Sequence, residues 1–128
     1  MAGIWHDEGE NNILDAYFKG ANRPAAWYLG LYMNATALAE DATLASISEV
    51  SGNGYARQQL ADADWTLTND HVTGAQQTFT ASGGSWSNVY GWFLTDGTKL
   101  IASEHFAGGP YTIQNGQSIK VTPTITAS

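Results

Sequence analysis

Side chains suited to acid–base, nucleophilic or metal chemistry are few in this sequence and widely separated. His6, His71 and His105 stand far apart, and none falls at the H-x-x-x-H spacing that aligns two imidazoles on a helix. Beside strands, a lone histidine is far more often a packed structural residue than a ligand or a proton carrier. Asp62 and Asp64 form a D-x-D ahead of Trp65. In a strand the two carboxylates would share one face about 7 Å apart. A glycosidase draws its carboxylate pair from separate elements across a cleft, and the Gly and Glu of a calcium loop do not follow here. The pair therefore reads as a solvated turn. No G-x-S-x-G elbow occurs. The chain has no cysteine, which removes thiol catalysis, thiolate metal sites and disulfides. Lys19, Arg23, Arg57, Lys99 and Lys120 are too dispersed for a phosphate site. The expectation is no catalytic residue, no metal and no cofactor. The rival enzyme reading requires two essential carboxylates among Asp62, Asp64, Asp70 and Glu104 in one cleft.

The most informative stretch is Glu49-Val50-Ser51-Gly52-Asn53-Gly54-Tyr55-Ala56-Arg57. Gly and Asn enter φ > 0 at low cost, so Gly52, Asn53 and Gly54 predict a tight turn that orients Tyr55 and Arg57. A dinucleotide fingerprint would need a third glycine and a helix, and neither follows. Arg57 is expected to grip a carboxylate with its planar fork, either within the fold as a brace or across an interface. Tyr28, Tyr32 and Tyr90 are further candidates for a neighbouring subunit, because aromatics are enriched in interface cores.

The elements that must position these residues are mainly strands. Fourteen glycines and many Thr, Ser, Val, Ile, Tyr and Trp residues favour an all-β chain with many turns. A length of 128 residues fits a single domain, 1–128, with a helix over 7–20 and a β core over 25–128. Twelve acidic residues against five basic give a formal charge of −7, which argues against nucleic acid and anionic lipid as partners. The N-terminal residues have neither the basic nor the apolar segment of a secretory signal. No apolar run approaches the ~20 residues of a membrane span. Asn34-Ala35-Thr36 matches a glycosylation sequon, read as chance.

Along the chain, Ile13, Leu14, Tyr17 and Phe18 form one stripe of the helix, with Asp7, Glu8 and Glu10 at its start and Lys19 and Gly20 at its end. The stripe predicts a helix that plugs one side of the β core; the rival reading is an arm on a neighbouring subunit. Residues 27–33 alternate with apolar or aromatic side chains on both faces, which predicts a central strand. Residues 34–48 read as a lateral contact loop or a short helix around Leu38 to Leu44. Strands are expected at 55–60, 65–67 and 75–80, with 68–74 a polar separator, and Trp27, Trp65, Trp86 and Trp92 in the core. Asp96-Gly97 predicts a two-residue hairpin turn, and Asn115-Gly116 a second between 111–113 and 118–121. Seven to nine short strands with frequent turns predict an antiparallel β-sandwich or jelly roll with one short N-terminal helix.

Leu29-Gly30-Leu31-Tyr32-Met33-Asn34, the 49–57 stretch and Trp65 together resemble the "LYxA…TEVSGGGYAR…W" pattern of small tailed-phage virion proteins. Phe79, Trp86, Val89-Tyr90-Gly91, Leu100-Ile101 and Asn115-Gly116-Gln117-Ser118-Ile119 extend the likeness over nearly the whole chain, with Asn53 where glycine is usual. Members are labelled tail or tail-fibre proteins, sometimes capsid or structural proteins. The resemblance implies a non-enzymatic bacteriophage virion protein, assembled in the host cytoplasm. The chain lacks the repeat or coiled coil of a fibre shaft. Its acidic β-domain suits a capsid decoration or cement subunit, a dimer or trimer bound to the major capsid protein. The alternative is a tail or tail-fibre-associated subunit that binds tail proteins, with aromatic and polar loops able to grip a host glycan.

Overall fold

The computed structural model describes residues 4–20 and 23–126. The connecting residues Ala21 and Asn22, the first three residues and the last two of the expected 25–128 core lie outside the described residues. Chain order runs β1 (Ile4–Trp5), α1 (Asp7–Lys19), β2 (Trp27–Tyr32), β3 (Gln58–Leu60), β4 (Trp65–Thr68), β5 (His71–Gly74) and β6 (Gln77–Thr80). It continues through β7 (Trp86–Val89), β8 (Gly91–Thr95), β9 (Leu100–His105), β10 (Tyr111–Ile113), β11 (Ser118–Val121) and β12 (Thr124–Thr126). Every strand pairing among the described residues is antiparallel. A five-stranded sheet, β1-β9-β8-β2-β3, is accompanied by β12-β5-β4 and the pairs β10-β7 and β11-β6. The fold is an all-β sandwich with one short helix.

The period-two alternation of β2 explains its central position. Leu29 and Leu31 join Trp92, Leu94 and Ile101 in a core that also takes Phe79, Ile113, Val121 and Ile125 from the smaller sheets. Tyr32, Phe93 and Leu100 form a second cluster with Leu38, and Ala42, Leu44 and Ile47 pack on it. Residues 34–48 therefore cover the sheet with their aliphatic side chains, with a single 3₁₀ turn at Leu44–Ser46 instead of a helix around Leu38 to Leu44. Asn34 ties this segment down: its Nδ2 donates to the Ser46 carbonyl at 2.8 Å and its Oδ1 accepts from the Ser48 amide at 2.7 Å.

Three local readings are corrected by pairing. Residues 71–74, placed in a polar separator, form β5, which pairs with both β4 and β12. Asp96 and Gly97 belong to a longer connection, because Thr95 pairs with Leu100. There Asp96 Oδ1 accepts from the Thr98 and Lys99 amides at 2.9 and 2.8 Å, closing an Asx-type turn. Asn115-Gly116 turns the chain but makes no hairpin: β10 pairs with β7 and β11 with β6. The turn is held by other strands' loops, with the Gly116 amide donating to the Ala81 carbonyl at 2.8 Å and Asn115 Oδ1 accepting from Gly83 at 2.9 Å.

Helix α1 has the expected polarity, with Gly20 at φ 66 as its left-handed C-cap. Its attachment is made by its first half. Gly9 sits on the backbone of Ile101, where an added Cβ would lie 2.5 Å from the carbonyl oxygen. Glu8 Oε2 accepts from the Leu100 amide at 2.9 Å, and Asn12 donates to Asp96 at 3.2 Å.

The residue before the helix, His6, is fully buried. Its Nδ1 donates to the Glu40 carbonyl at 3.2 Å, which leaves Nε2 to accept from Ser103 Oγ at 2.8 Å, the pattern of a neutral imidazole. Burial lowers its pKa from 6.5, against the opposing pull of the Glu40 and Ala39 carbonyls and the nearby Asp7 and Glu40 charges. The unfolded chain therefore binds the proton first as pH falls. The stability contribution is complete above about pH 6.5 and declines below it. Thermal melts between about pH 7.5 and about pH 5 should fall more steeply for the wild type than for His6→Gln. Parallel slopes would contradict the neutral, buried assignment.

Candidate assembly site

The 49–57 stretch folds as a lock on the edge of β2. β3 covers that edge only as far as Leu29, which pairs with Gln58. Beyond it, Tyr32 bridges to Glu49, the Val50 amide donates to the Leu31 carbonyl at 3.1 Å and the Met33 amide to the Ser48 carbonyl at 2.7 Å. The remaining edge donor, the Leu31 amide, is taken by the Tyr55 hydroxyl oxygen at 2.9 Å. An open row of backbone groups is thereby closed from within the chain.

Glu49 organises the lock. Its Oε2 accepts from the Tyr55 hydroxyl at 2.7 Å and from Arg57 Nε at 3.0 Å, while Oε1 accepts from Arg57 Nη2 at 2.9 Å. The pair is bidentate and half-buried, and the guanidinium lies 5.4 Å from the centre of the Phe93 ring. The hydrogen bond that Arg57 donates to Glu49 raises the Arg57 pKa further. Burial pushes the Tyr55 hydroxyl up strongly, reinforced by Glu49. Gly30 makes room for this geometry: a Cβ there would sit 2.5 Å from the Phe93 ring and 2.7 Å from the Tyr55 oxygen. Arg57 thus has its carboxylate within the fold, in the motif itself.

The turn works as the other jaw. Gly52, Asn53 and Gly54 all take positive φ, at 75, 51 and 80. The Gly52 and Asn53 carbonyls accept from the buried Trp86 indole at 3.1 and 3.0 Å. Asn53 Nδ2 donates to the Ser85 carbonyl at 3.0 Å, a bond that glycine at this position would lack. The Tyr55 ring stacks on Phe79 at 6.2 Å and meets Trp86 edge-on at 5.7 Å. Among the tyrosines considered for a neighbour, Tyr32 is corrected: it is fully buried in its own chain. Its hydroxyl meets His105 Nδ1 at 3.0 Å, and burial pushes its pKa up to about 12, with Glu104 adding to the rise. Tyr90 stacks on His105 at 5.6 Å, and both Tyr90 and Tyr28 are half-buried.

The carboxylates of the enzyme reading lie apart in role. Asp62 pairs with Arg23 at 3.0 Å, Asp64 accepts from the Ala61 amide at 2.7 Å and Asp70 lies 3.6 Å from His71. Glu104 accepts from the Trp92 indole at 3.1 Å. Asp7, Glu10 and Glu40 can bring three oxygens within 4.8 Å of one another, but as surface acids they are common without an ion. Trp86 and Trp92 are buried as expected. Trp5, Trp27 and Trp65 are half-buried, pack against that core and line an apolar cavity of about 200 Å³ with Ile13, Ile101 and Ile125. Its lining suits an apolar group.

An exposed apolar surface lies on the helix, the element whose rival reading was an arm on a neighbouring subunit. Ile13 faces the cavity, but the rest of the stripe points away from the core: Leu14 is 54%, Tyr17 81% and Phe18 74% exposed. The only fully buried residue of α1 is Gly9. The expected plug is therefore corrected. The helix docks through its glycine and its first-half polar contacts and turns most of its apolar stripe outward. The signal lay in the two adjacent apolar pairs, which make a stripe wider than a helix touching one strand can bury.

No helix among the described residues is long and apolar enough to cross a membrane. The family model described as podophage GP4 fiber I protein gp80 matches residues 5–125. No curated protein matches the chain.

Proposed function

The chain belongs to this podophage fibre family, and from that premise we propose that it is a non-enzymatic structural subunit of the virion's tail-fibre apparatus. The observation that carries the reading is the family match across residues 5–125, nearly the full span of the fold. It favours the tail alternative over the capsid decoration role drawn from the missing shaft. A compact sandwich fits a fibre apparatus as a globular element that other subunits extend. Its partners are then tail proteins and further copies of itself, in place of the major capsid protein. The acidic balance of −7 disfavours nucleic acid and membrane surfaces. The internal engagement of Glu49, Tyr55 and Arg57, and the separate roles of Asp62, Asp64, Asp70 and Glu104, support an assembly role over a chemical one. The Trp5–Trp27–Trp65 cavity gives the host-glycan reading rings to stack on a sugar, but apart from the indoles its lining holds no polar side chain to bond the hydroxyls.

Immunogold electron microscopy on intact particles tests the location. Label confined to the tail is expected. Label spread over the whole head would overturn the tail reading in favour of decoration.

A further inference from the structure

We propose that the outward face of α1, built from Leu14, Tyr17 and Phe18, is a self-association surface that packs on the same face of a second copy about a two-fold axis. The inference rests on the homo-oligomer reading above and gives it a place and a symmetry.

A helix of 13 residues is marginal in water without tertiary packing. Here that packing is concentrated in the first half, at Gly9, Glu8 and Asn12. The second half carries the largest apolar side chains and leaves them in water, with Tyr17 and Phe18 edge-to-face at 5.0 Å. Two rings and a leucine at these exposures present an apolar patch on the order of 400 Å². The largest apolar patch of a typical monomer measures about 300–600 Å² and is often functional. A standard interface takes about 800 Å² from each partner. The patch supplies about half, and shallow grooves beside it supply more area, with Asn11, Asp15 and Lys19 on one flank and Pro24 and Trp27 on the other.

Charge selects the symmetry. On a helical wheel Asp7 and Glu10 project on the same side as Leu14 and Phe18, one to three turns earlier. A parallel bundle around a three-fold axis would bring these acids from every copy together. An antiparallel crossing centred on Tyr17 and Phe18 sends them outward instead. Asp7 then lies about 15 Å along the helix from the axis, beyond a Debye length of about 8 Å at physiological salt. The apolar patch then meets its own copy with Asp7 and Glu10 held apart, and Asp15 on its flank comes level with Lys19 of the second copy, in an isologous two-fold contact.

Sedimentation of the full chain over a range of concentrations should give a mass approaching two chains of 13.7 kDa. Tyr17→Ser with Phe18→Ser should weaken association about a hundredfold. Its melting temperature in the monomer range should be unchanged, because both rings are exposed. The cysteine-free background allows a second readout. Tyr17→Cys should cross-link to itself under mild oxidation, and Asp7→Cys should not. A wild type that stays monomeric, an oligomer indifferent to the double substitution, or a three-chain mass with Asp7→Cys cross-linking would each overturn the proposal. A monomer that still labels the tail would do so while leaving the tail assignment standing.

Discussion

Replacing Glu49 by alanine should cost the isolated subunit about 3 kcal/mol, a fall in Tm of about 10 °C. Removing one partner of a buried ion pair costs roughly 3–5 kcal/mol, because the other charge is left desolvated and alone. Here Glu49 and Arg57 keep 26% and 32% of their side-chain exposure, so water recovers part of that loss. The charge term is then about 2 kcal/mol, and the lost hydrogen bond from the Tyr55 hydroxyl adds about 1. Arg57→Ala should cost less, about 2 kcal/mol, because Glu49 keeps the Tyr55 hydroxyl as a donor. Denaturant unfolding of both variants and the double variant gives the coupling directly. Changes within 0.5 kcal/mol would mean that the pair is not the brace its geometry describes, and that Arg57 acts at an interface.

Gly9→Ala should destabilise by about 3 kcal/mol and reduce the helical circular dichroism signal. The sign is the informative part. On helix propensity alone, alanine for glycine in a helix gains about 1 kcal/mol. The new Cβ would lie 2.5 Å from the Ile101 carbonyl oxygen and 2.6 Å from its Cα. Both atoms belong to β9, which is hydrogen-bonded on each side by β1 and β8, so no rotamer relieves the overlap. The helix must lift off, and the bonds from Leu100 to Glu8 and from Asn12 to Asp96 lengthen with it. A stabilised variant would show that the helix docks elsewhere.

These two sites illustrate what the sequence makes legible. The positive-φ turn at 52–54, the helix ends at Asp7 and Gly20 and the two-faced apolar pattern of β2 are local properties, and local chemistry reveals them. Arg57 was open between a brace and an interface, and its partner proved to be Glu49, eight residues away in the same motif. Partner choice between strands was not legible. Asn115-Gly116 announces a turn, but whether its flanks pair with each other depends on β6 and β7, far away in sequence. β5 escaped notice because His71-Val72-Thr73-Gly74 lacks an apolar alternation; it is a strand because β4 and β12 supply ladders on both sides. The outward turn of Leu14, Tyr17 and Phe18 was hidden for a related reason. Periodicity identifies a stripe, and only the position of Gly9 on Ile101 decides which edge of it meets the sheet.

The most direct test of the tail-fibre assignment is a cryo-electron microscopy map of the intact particle. The predicted result is density for this sandwich on the tail, with paired copies meeting at Leu14, Tyr17 and Phe18 and each 49–57 lock closed within its own chain. Density for the same sandwich distributed over the head shell, with the tail devoid of it, would contradict the assignment.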